Sequence, residues 1–316
     1  MKYLFILIAS ILLIACNNQN IQNIVKEKDL IKENKIKEQL LFQVLENNSY
    51  LLIESKLFND KGNIIKHIIY NSDSTINNYI VIDYDNIENI VQEASFRGDS
   101  ILIYKTLKHY NDNKNVIEEV TYGADNSIDV QVKNKYDSKG NKIETVYFNK
   151  EGETYVYTSN YNANNKEIKS TTYNQLGELE KTYTYKYDLK DNLVELIEYM
   201  ANGGIGNIMV FKYDKNGKEL ETISKNAEGK LNFKITKSYY SNGLEKEIST
   251  QMADNEIITT VSIEYNKNNQ ITKQSSYSNG KIVNSVEKYY NKKGLIIKEV
   301  NVDDNNNKTV KMFKYN

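Results

Sequence analysis

The residue types that most often bind metal ions or transfer protons are sparse in this chain of 316 residues. His67 and His109 are its only histidines and lie 42 positions apart, so the histidine clusters of zinc sites and acid–base networks are missing. We interpret both as ordinary strand residues. The sequence therefore predicts no catalytic residue, no metal site and no cofactor.

Carboxylates and glycines offer three further patterns, and each favours a structural interpretation. A glycosidase needs two carboxylates that face each other, whereas the adjacent Glu118 and Glu119 would point to opposite faces of a strand. Residues 303–306 are two aspartates and two asparagines, but they lack the alternating ligands and the late glutamate of an EF-hand calcium loop. Residues 203–206 contain three glycines, but no helix pattern and no Lys-Ser or Lys-Thr pair follows them. We interpret both segments as turns.

The single cysteine, Cys16, lies at the end of a segment typical of exported proteins. Lys2 is followed by an apolar run of about twelve residues, which is too short to span a bilayer. The sequence Leu13-Ile14-Ala15-Cys16 resembles the bacterial lipobox, in which the cysteine is lipidated before the signal is cleaved. This resemblance implies that an acylated Cys16 anchors the protein to a membrane. Asn17 and Asn18 lack the aspartate that can retain lipoproteins at an inner membrane, so the outer membrane or cell surface is the expected location.

The overall composition favours strands and turns and excludes one class of partner. The chain has 26 tyrosines but no proline and no tryptophan, and tyrosine is enriched in strands. Its formal net charge is −1. A protein that tracks phosphates carries a basic surplus, so nucleic acid is not an expected partner.

An aromatic residue recurs every 25 or 26 positions, which identifies a tandem repeat. These anchor aromatics are Phe58, Tyr84, Tyr110, Tyr136, Tyr161, Tyr187, Tyr213, Tyr239, Tyr265, Tyr290 and Tyr315. An asparagine or aspartate follows every anchor except Tyr239, and its side chain can accept a backbone hydrogen bond that closes a turn. The spacing predicts one tight turn after each anchor.

Two further positions keep the same phase. Four residues after the anchor stand residues that tolerate a positive φ, either Asn165, Asn269 and Asp191 or the turn glycines Gly62, Gly140, Gly217, Gly243 and Gly294. Seven residues after the anchor, aliphatic side chains predict a buried column: Ile65, Val91, Ile117, Ile143, Ile168, Val194, Leu220 and Ile297. A second turn about twelve residues after each anchor leaves strands of seven to nine residues, as in a β-meander.

These elements predict an all-β fold, an extended or curled meander of tandem β-hairpin repeats. The expected organisation is a signal peptide over residues 1–15, a lipidated helical or flexible tether over 16–48, and a repeat domain over 49–316.

Several turn segments resemble known repeat families. Residues 136–141, 187–192 and 213–218 read YDSKGN, YDLKDN and YDKNGK, and they resemble the YD repeat of the Rhs family, whose core is Tyr-Asp-x-x-Gly. Residues 239–243 and 289–294 read YYSNG and YYNKKG, which resemble MORN-type repeats. Both resemblances imply an array of hairpins, and neither fixes a partner.

The tyrosines leave two interpretations open, because period-locked rings can stack on one another or form an exposed strip that binds sugars or peptides. The leading functional hypothesis is a membrane-anchored, non-enzymatic lipoprotein that presents its sheet to a protein or glycan at the cell envelope. The alternative is a periplasm-facing immunity-like or assembly factor. A glycan hydrolase is the third hypothesis.

Overall fold

The computed structural model describes residues 26–253 and 258–316, and it is all-β apart from helical residues 26–33. The 22 strands are β1 (Glu38–Val44), β2 (Tyr50–Phe58), β3 (Ile64–Tyr70), β4 (Ile76–Tyr84), β5 (Ile90–Arg97), β6 (Leu102–Tyr110), β7 (Val116–Gly123), β8 (Ile128–Tyr136), β9 (Lys142–Asn149), β10 (Thr154–Tyr161), β11 (Glu167–Tyr173), β12 (Leu179–Tyr187), β13 (Leu193–Met200), β14 (Ile205–Tyr213), β15 (Glu219–Asn226), β16 (Leu231–Tyr239), β17 (Glu245–Met252), β18 (Ile258–Tyr265), β19 (Ile271–Ser278), β20 (Lys281–Tyr290), β21 (Ile296–Asp303) and β22 (Lys308–Tyr315).

The strands form one closed barrel, which corrects the prediction of an extended or curled meander. Each strand pairs antiparallel with the next, as a hairpin array requires. The last strand, β22, then pairs with β1 over six residue pairs, from Gln39 with Tyr315 to Val44 with Val310. Closure leaves neither edge of the sheet unpaired, which removes the exposed edges that an open meander would carry.

The closing strand β1 lies within the segment 16–48 for which the sequence predicts a helical or flexible tether. The charges of residues 26–37 dominate that segment, whereas residues 38–44 read EQLLFQV and bury Gln39 and Leu41 on one side. Such alternation is a strand pattern. Whether residues 38–44 form a strand depends on pairing with β22, almost 280 residues away, and no local sequence pattern shows this pairing.

The barrel has two rims of tight turns. The loops that follow the even-numbered strands form the anchor rim, since every anchor aromatic is the last residue of an even-numbered strand. The loops that follow the odd-numbered strands form the far rim. At the anchor rim the predicted turn chemistry is present: the Asp137 carboxylate, for example, accepts hydrogen bonds from the backbone N–H groups of Lys139 and Asn141 at 2.9 Å.

Positive φ angles recur four residues after the anchors. They occur at all five predicted glycines and at Asn165, Asp191 and Asn269, but also at Glu88 (71°) and Lys114 (63°). The last two are poor residues for this conformation, so turn preference alone did not identify them. Both turns have the backbone hydrogen bond of the other anchor turns, from Glu88 N–H to the Asp85 carbonyl at 3.2 Å and from Lys114 N–H to the Asn111 carbonyl at 2.9 Å.

The two faces of the sheet differ in burial. We name the anchor face as the side that carries the anchor aromatics and alternate residues before them, such as Tyr183 and Tyr185. Both hydrophobic clusters involve this face: one contains Leu196, Met209, Phe211, Phe233 and Ile235, and the other joins Phe58 to the helix through Ile31.

The anchor face is also where charged side chains are withdrawn from water. Lys237 on this face is 7% exposed, whereas Lys135 on the opposite face is 71% exposed. Side chains converge on the concave side of a closed sheet, so we infer that the anchor face lines the inside. All strand pairs in extensive contact are hydrogen-bonded neighbours, and a barrel of 22 strands is wide enough to enclose a lumen.

Candidate functional site

The anchor tyrosines form a ladder of hydrogen bonds at the anchor rim. The hydroxyls of nine anchor tyrosines donate to the carbonyl at the start of the odd-numbered strand one repeat earlier, as Tyr187 does to Glu167 at 2.8 Å and Tyr213 does to Leu193 at 2.8 Å. The same bond is present at Tyr84, Tyr110, Tyr136, Tyr161, Tyr239, Tyr290 and Tyr315. These rings are structural connections between neighbouring repeats.

The predicted aliphatic column is not buried. Five of its members, Ile65, Ile117, Ile143, Ile168 and Leu220, are 36–40% exposed. The reason is a β-bulge that recurs at the anchors from Phe58 to Tyr290: Tyr187 pairs with Leu193 while Lys186 pairs with Glu195, so the intervening Val194 has no residue opposite it. The unpaired position is displaced from the packed row that a regular strand would have formed.

Other candidates from the sequence lie apart from one another. His67 lies in β3 beside Glu54, with 3.2 Å between Nε2 and the carboxylate, and His109 lies in β6. Glu119 and Glu118 contact different lysines, Lys108 at 3.0 Å and Lys133 at 3.8 Å. Residues 203–206 span the β13–β14 loop and the start of β14.

Within residues 26–253 and 258–316, no group of three or more His, Cys, Asp or Glu residues could hold a metal ion. In the same part of the chain, no helix is long and apolar enough to cross a bilayer. Cys16 and the signal segment lie outside the described residues.

A cavity of about 530 Å³ lies on the anchor face, over strands β9 to β11. Tyr157, Ser159 and Tyr161 come from β10, which places them at alternate positions of one strand and so on one face. The neighbouring strands add polar side chains, and the full lining is Lys142, Glu144, Thr145, Tyr157, Ser159, Tyr161, Glu167 and Ser170.

The cavity combines hydroxyls, charged groups and an accessible aromatic ring. Tyr157 is 45% exposed. The anchor Tyr161 on the same strand donates its hydroxyl to the carbonyl of Lys142. Burial raises the pKa of Glu167, although Ser159 and Ser170 donate hydrogen bonds to it and Lys142 lies nearby. The carboxyl thus lies in a site that is partly withdrawn from water.

Tyrosines extend this surface along the anchor face in both directions. Tyr147 and Tyr155 lie with ring centroids 6.3 Å apart, and the Tyr185 hydroxyl lies 3.0 Å from the Ser170 hydroxyl. Burial raises the pKa of Tyr185 to about 12. We name this the tyrosine patch: Tyr147, Tyr155, Tyr157 and Tyr185 with the residues of the cavity. The sequence missed it because the patch depends on residues between the periodic anchors.

Fold and hydrogen bonds together define the chain as a closed barrel of tandem β-hairpin repeats. No protein-family model and no curated protein matches its sequence. A porin-like protein from Bacteroides uniformis is a solved structure with some similarity, at 11% identity over 89% of this chain and 98% of that chain, with a TM-score of 0.32.

Two toxin structures are similar to a lesser degree. TcdB2-TccC3 matches at 11% identity over 85% of this chain and 19% of that chain, with a TM-score of 0.25. The Tc holotoxin pore of Photorhabdus luminescens matches at 12% identity over 80% and 17%, with a TM-score of 0.28. The chain therefore spans less than a fifth of these toxin chains. All three TM-scores lie well below 0.5.

Proposed function

We propose that the protein is an exported, lipid-anchored binding protein, attached to the membrane through Cys16, whose barrel binds a glycan on the tyrosine patch. The observation that carries the proposal is the cavity of about 530 Å³, in which a half-exposed Tyr157 ring lies among serine, threonine and charged side chains. A lipid anchor would hold this site at the cell envelope, at the outer membrane or cell surface.

The chemistry of the patch suits a sugar better than an apolar ligand. A tyrosine ring offers an apolar face on which the C–H groups of a sugar can stack. The polar groups of Ser159, Ser170, Thr145 and Glu167 line the same cavity and provide donors and acceptors for sugar hydroxyls. Ligand sites usually combine such a few fixed polar groups with aromatic contacts.

Isothermal titration calorimetry of the purified protein with neutral oligosaccharides tests this proposal. We expect Tyr157→Ala to weaken binding at least tenfold, because a buried aromatic contact is worth more than about 1.4 kcal/mol. Tyr50→Ala is the matched control, since Tyr50 lies at the far-rim end of β2 and is 63% exposed. Circular dichroism of both variants checks that they are folded.

Absence of binding across a broad oligosaccharide panel would contradict the glycan proposal. Recovery of the protein from native envelopes in a stable complex with one other protein would instead favour the assembly or immunity-like alternative. Protease digestion of the barrel on intact cells, compared with lysed cells, tests its location: digestion on intact cells is expected for a surface protein.

A further inference from the structure

The two rims of the barrel carry opposite charge. The ten loops that follow β2 to β20 at the anchor rim contain ten basic and eight acidic residues, and residues 26–37, which lie beside this rim, add five basic and three acidic residues. The far-rim loops, leaving out the β17–β18 loop, contain two basic and nine acidic residues. The anchor rim is therefore positive by four charges, and the far rim is negative by seven.

The chain approaches the barrel at the anchor rim. Residues 26–33 lie across several of its loops: the Lys26 ammonium donates to the carbonyl of Asn268 at 3.1 Å, and the Lys28 ammonium lies 2.8 Å from the Glu88 carboxylate. Ile31 is 1% exposed and packs against Phe58. At Gly62, whose φ is +79°, an added Cβ would lie 2.7 Å from the carbonyl oxygen of Lys28, so the helix fits closely on this turn.

The helix position restricts how far this rim can be from a lipid attached to Cys16. Ten residue steps separate Cys16 from Lys26. Ten residues of chain span at most about 35 Å in any conformation. Strands of about eight residues make the barrel wall roughly 26 Å high. The length of the chain between Cys16 and Lys26 therefore restrains the anchor rim to within about 35 Å of the bilayer, whereas the far rim has no such restraint.

We propose that the anchor rim is a membrane-docking surface that lies against anionic lipid headgroups, with the far rim directed away from the bilayer. This inference rests on the proposed lipid anchor at Cys16. Basic side chains near an anionic bilayer are attracted to it within about a Debye length, and acidic loops are repelled. Tether and charge thus favour the same orientation, and they leave the far rim as the open side for a ligand that enters the barrel.

Fluorescent labels on the two rims test this orientation in the lipidated full-length protein. Leu189 is an exposed loop residue at the anchor rim and Leu176 is an exposed loop residue at the far rim. Because Cys16 is the only cysteine, Leu189→Cys and Leu176→Cys each give one labelling site once Cys16 is acylated. Each variant is reconstituted in vesicles of 70% phosphatidylethanolamine and 30% phosphatidylglycerol that contain headgroup-quencher lipids.

We expect quenching of the Leu189→Cys label to be at least twofold stronger than that of the Leu176→Cys label. Replacing the anchor-rim residues Lys292 and Lys293 by glutamate should reduce this difference in quenching. The matched replacement of the far-rim residues Lys150 and Lys230 by glutamate should leave the difference unchanged. Equal quenching at the two rims, or a difference that is unchanged in phosphatidylcholine vesicles, would overturn the docking proposal.

A flotation assay separates this proposal from the anchor on which it rests. Wild-type protein should float with the vesicles, and Cys16→Ser should not. If the wild type fails to float, the proposed lipid anchor is wrong. If it floats but both labels are quenched equally, the anchor stands and the docking surface is wrong.

Discussion

Removing a single hydroxyl from the tyrosine ladder tests whether these bonds stabilise the barrel. In Tyr187→Phe the ring stays in place, and the hydrogen bond of 2.8 Å to the Glu167 carbonyl is lost. Burial raises the pKa of the Tyr187 hydroxyl, which agrees with a group partly withdrawn from water. A lost hydrogen bond of this kind costs about 0.5–1.5 kcal/mol, so we expect the free energy of unfolding to fall by about 1 kcal/mol.

Urea denaturation followed by circular dichroism measures this difference. Tyr50→Phe is the control, because a surface substitution at this exposed ring should change the free energy by less than about 0.5 kcal/mol. Tyr213→Phe removes an equivalent bond one repeat later, so the double variant should lose about 2 kcal/mol if the two sites act independently. Identical unfolding curves for wild type, Tyr187→Phe and the double variant would refute the ladder as a source of stability.

Three further changes have defined outcomes in the same denaturation assay. Ile31→Ala should cost about 2–4 kcal/mol because it leaves a cavity between the helix and Phe58, and a loss below about 0.5 kcal/mol would mean that the helix is not docked. Hydrogen bonds from His67 and Lys56 lower the pKa of Glu54 from 4.5 to about 2. The ionised carboxylate therefore stabilises the fold above the unfolded pKa, and this stabilisation is lost as the pH falls toward 2. Glu54→Gln should cost up to about 3 kcal/mol at pH 7 and little at pH 2. The pKa of Glu167 is raised instead, so its carboxylate opposes folding at pH 7, and Glu167→Gln should increase stability there.

The local elements of this fold could be predicted because the repeat keeps its chemistry in phase. An aromatic followed by Asx and, three residues later, by glycine specifies a turn without any distant contact, as at Tyr136, Asp137 and Gly140. Strand lengths follow from the spacing of these turns. The hairpin repeat was therefore correctly predicted from the sequence.

The global arrangement could not be predicted in the same way. Closure joins β1 to β22, and whether an array closes depends on the summed twist and curvature of all its hairpins, which no single repeat encodes.

The predicted burial of the aliphatic column was wrong for a related reason. The bulge beside each anchor shifts the face on which the next residue lies, and Ile117 and Leu220 become half-exposed although their spacing suits a buried row.

Closure also changes what the removal of one repeat should do. Deleting residues 187–212 removes one turn, strand β13, the next loop and all of β14 except Tyr213, which then takes the place of Tyr187. In an open array the remaining repeats would be unaffected, because each contacts mainly its neighbours. In the closed barrel, 20 strands must close with more curvature per strand. We therefore expect a folded protein that retains its β-sheet circular dichroism but unfolds at a lower urea concentration, because the added strain falls on the β1–β22 pairing.

Hydrogen exchange at Glu38 to Val44 in the deletion variant locates that strain. Faster exchange of these amides than of those in β5 and β6 would support a barrel whose closing strand pair is strained. Uniform loss of protection across all strands would contradict it.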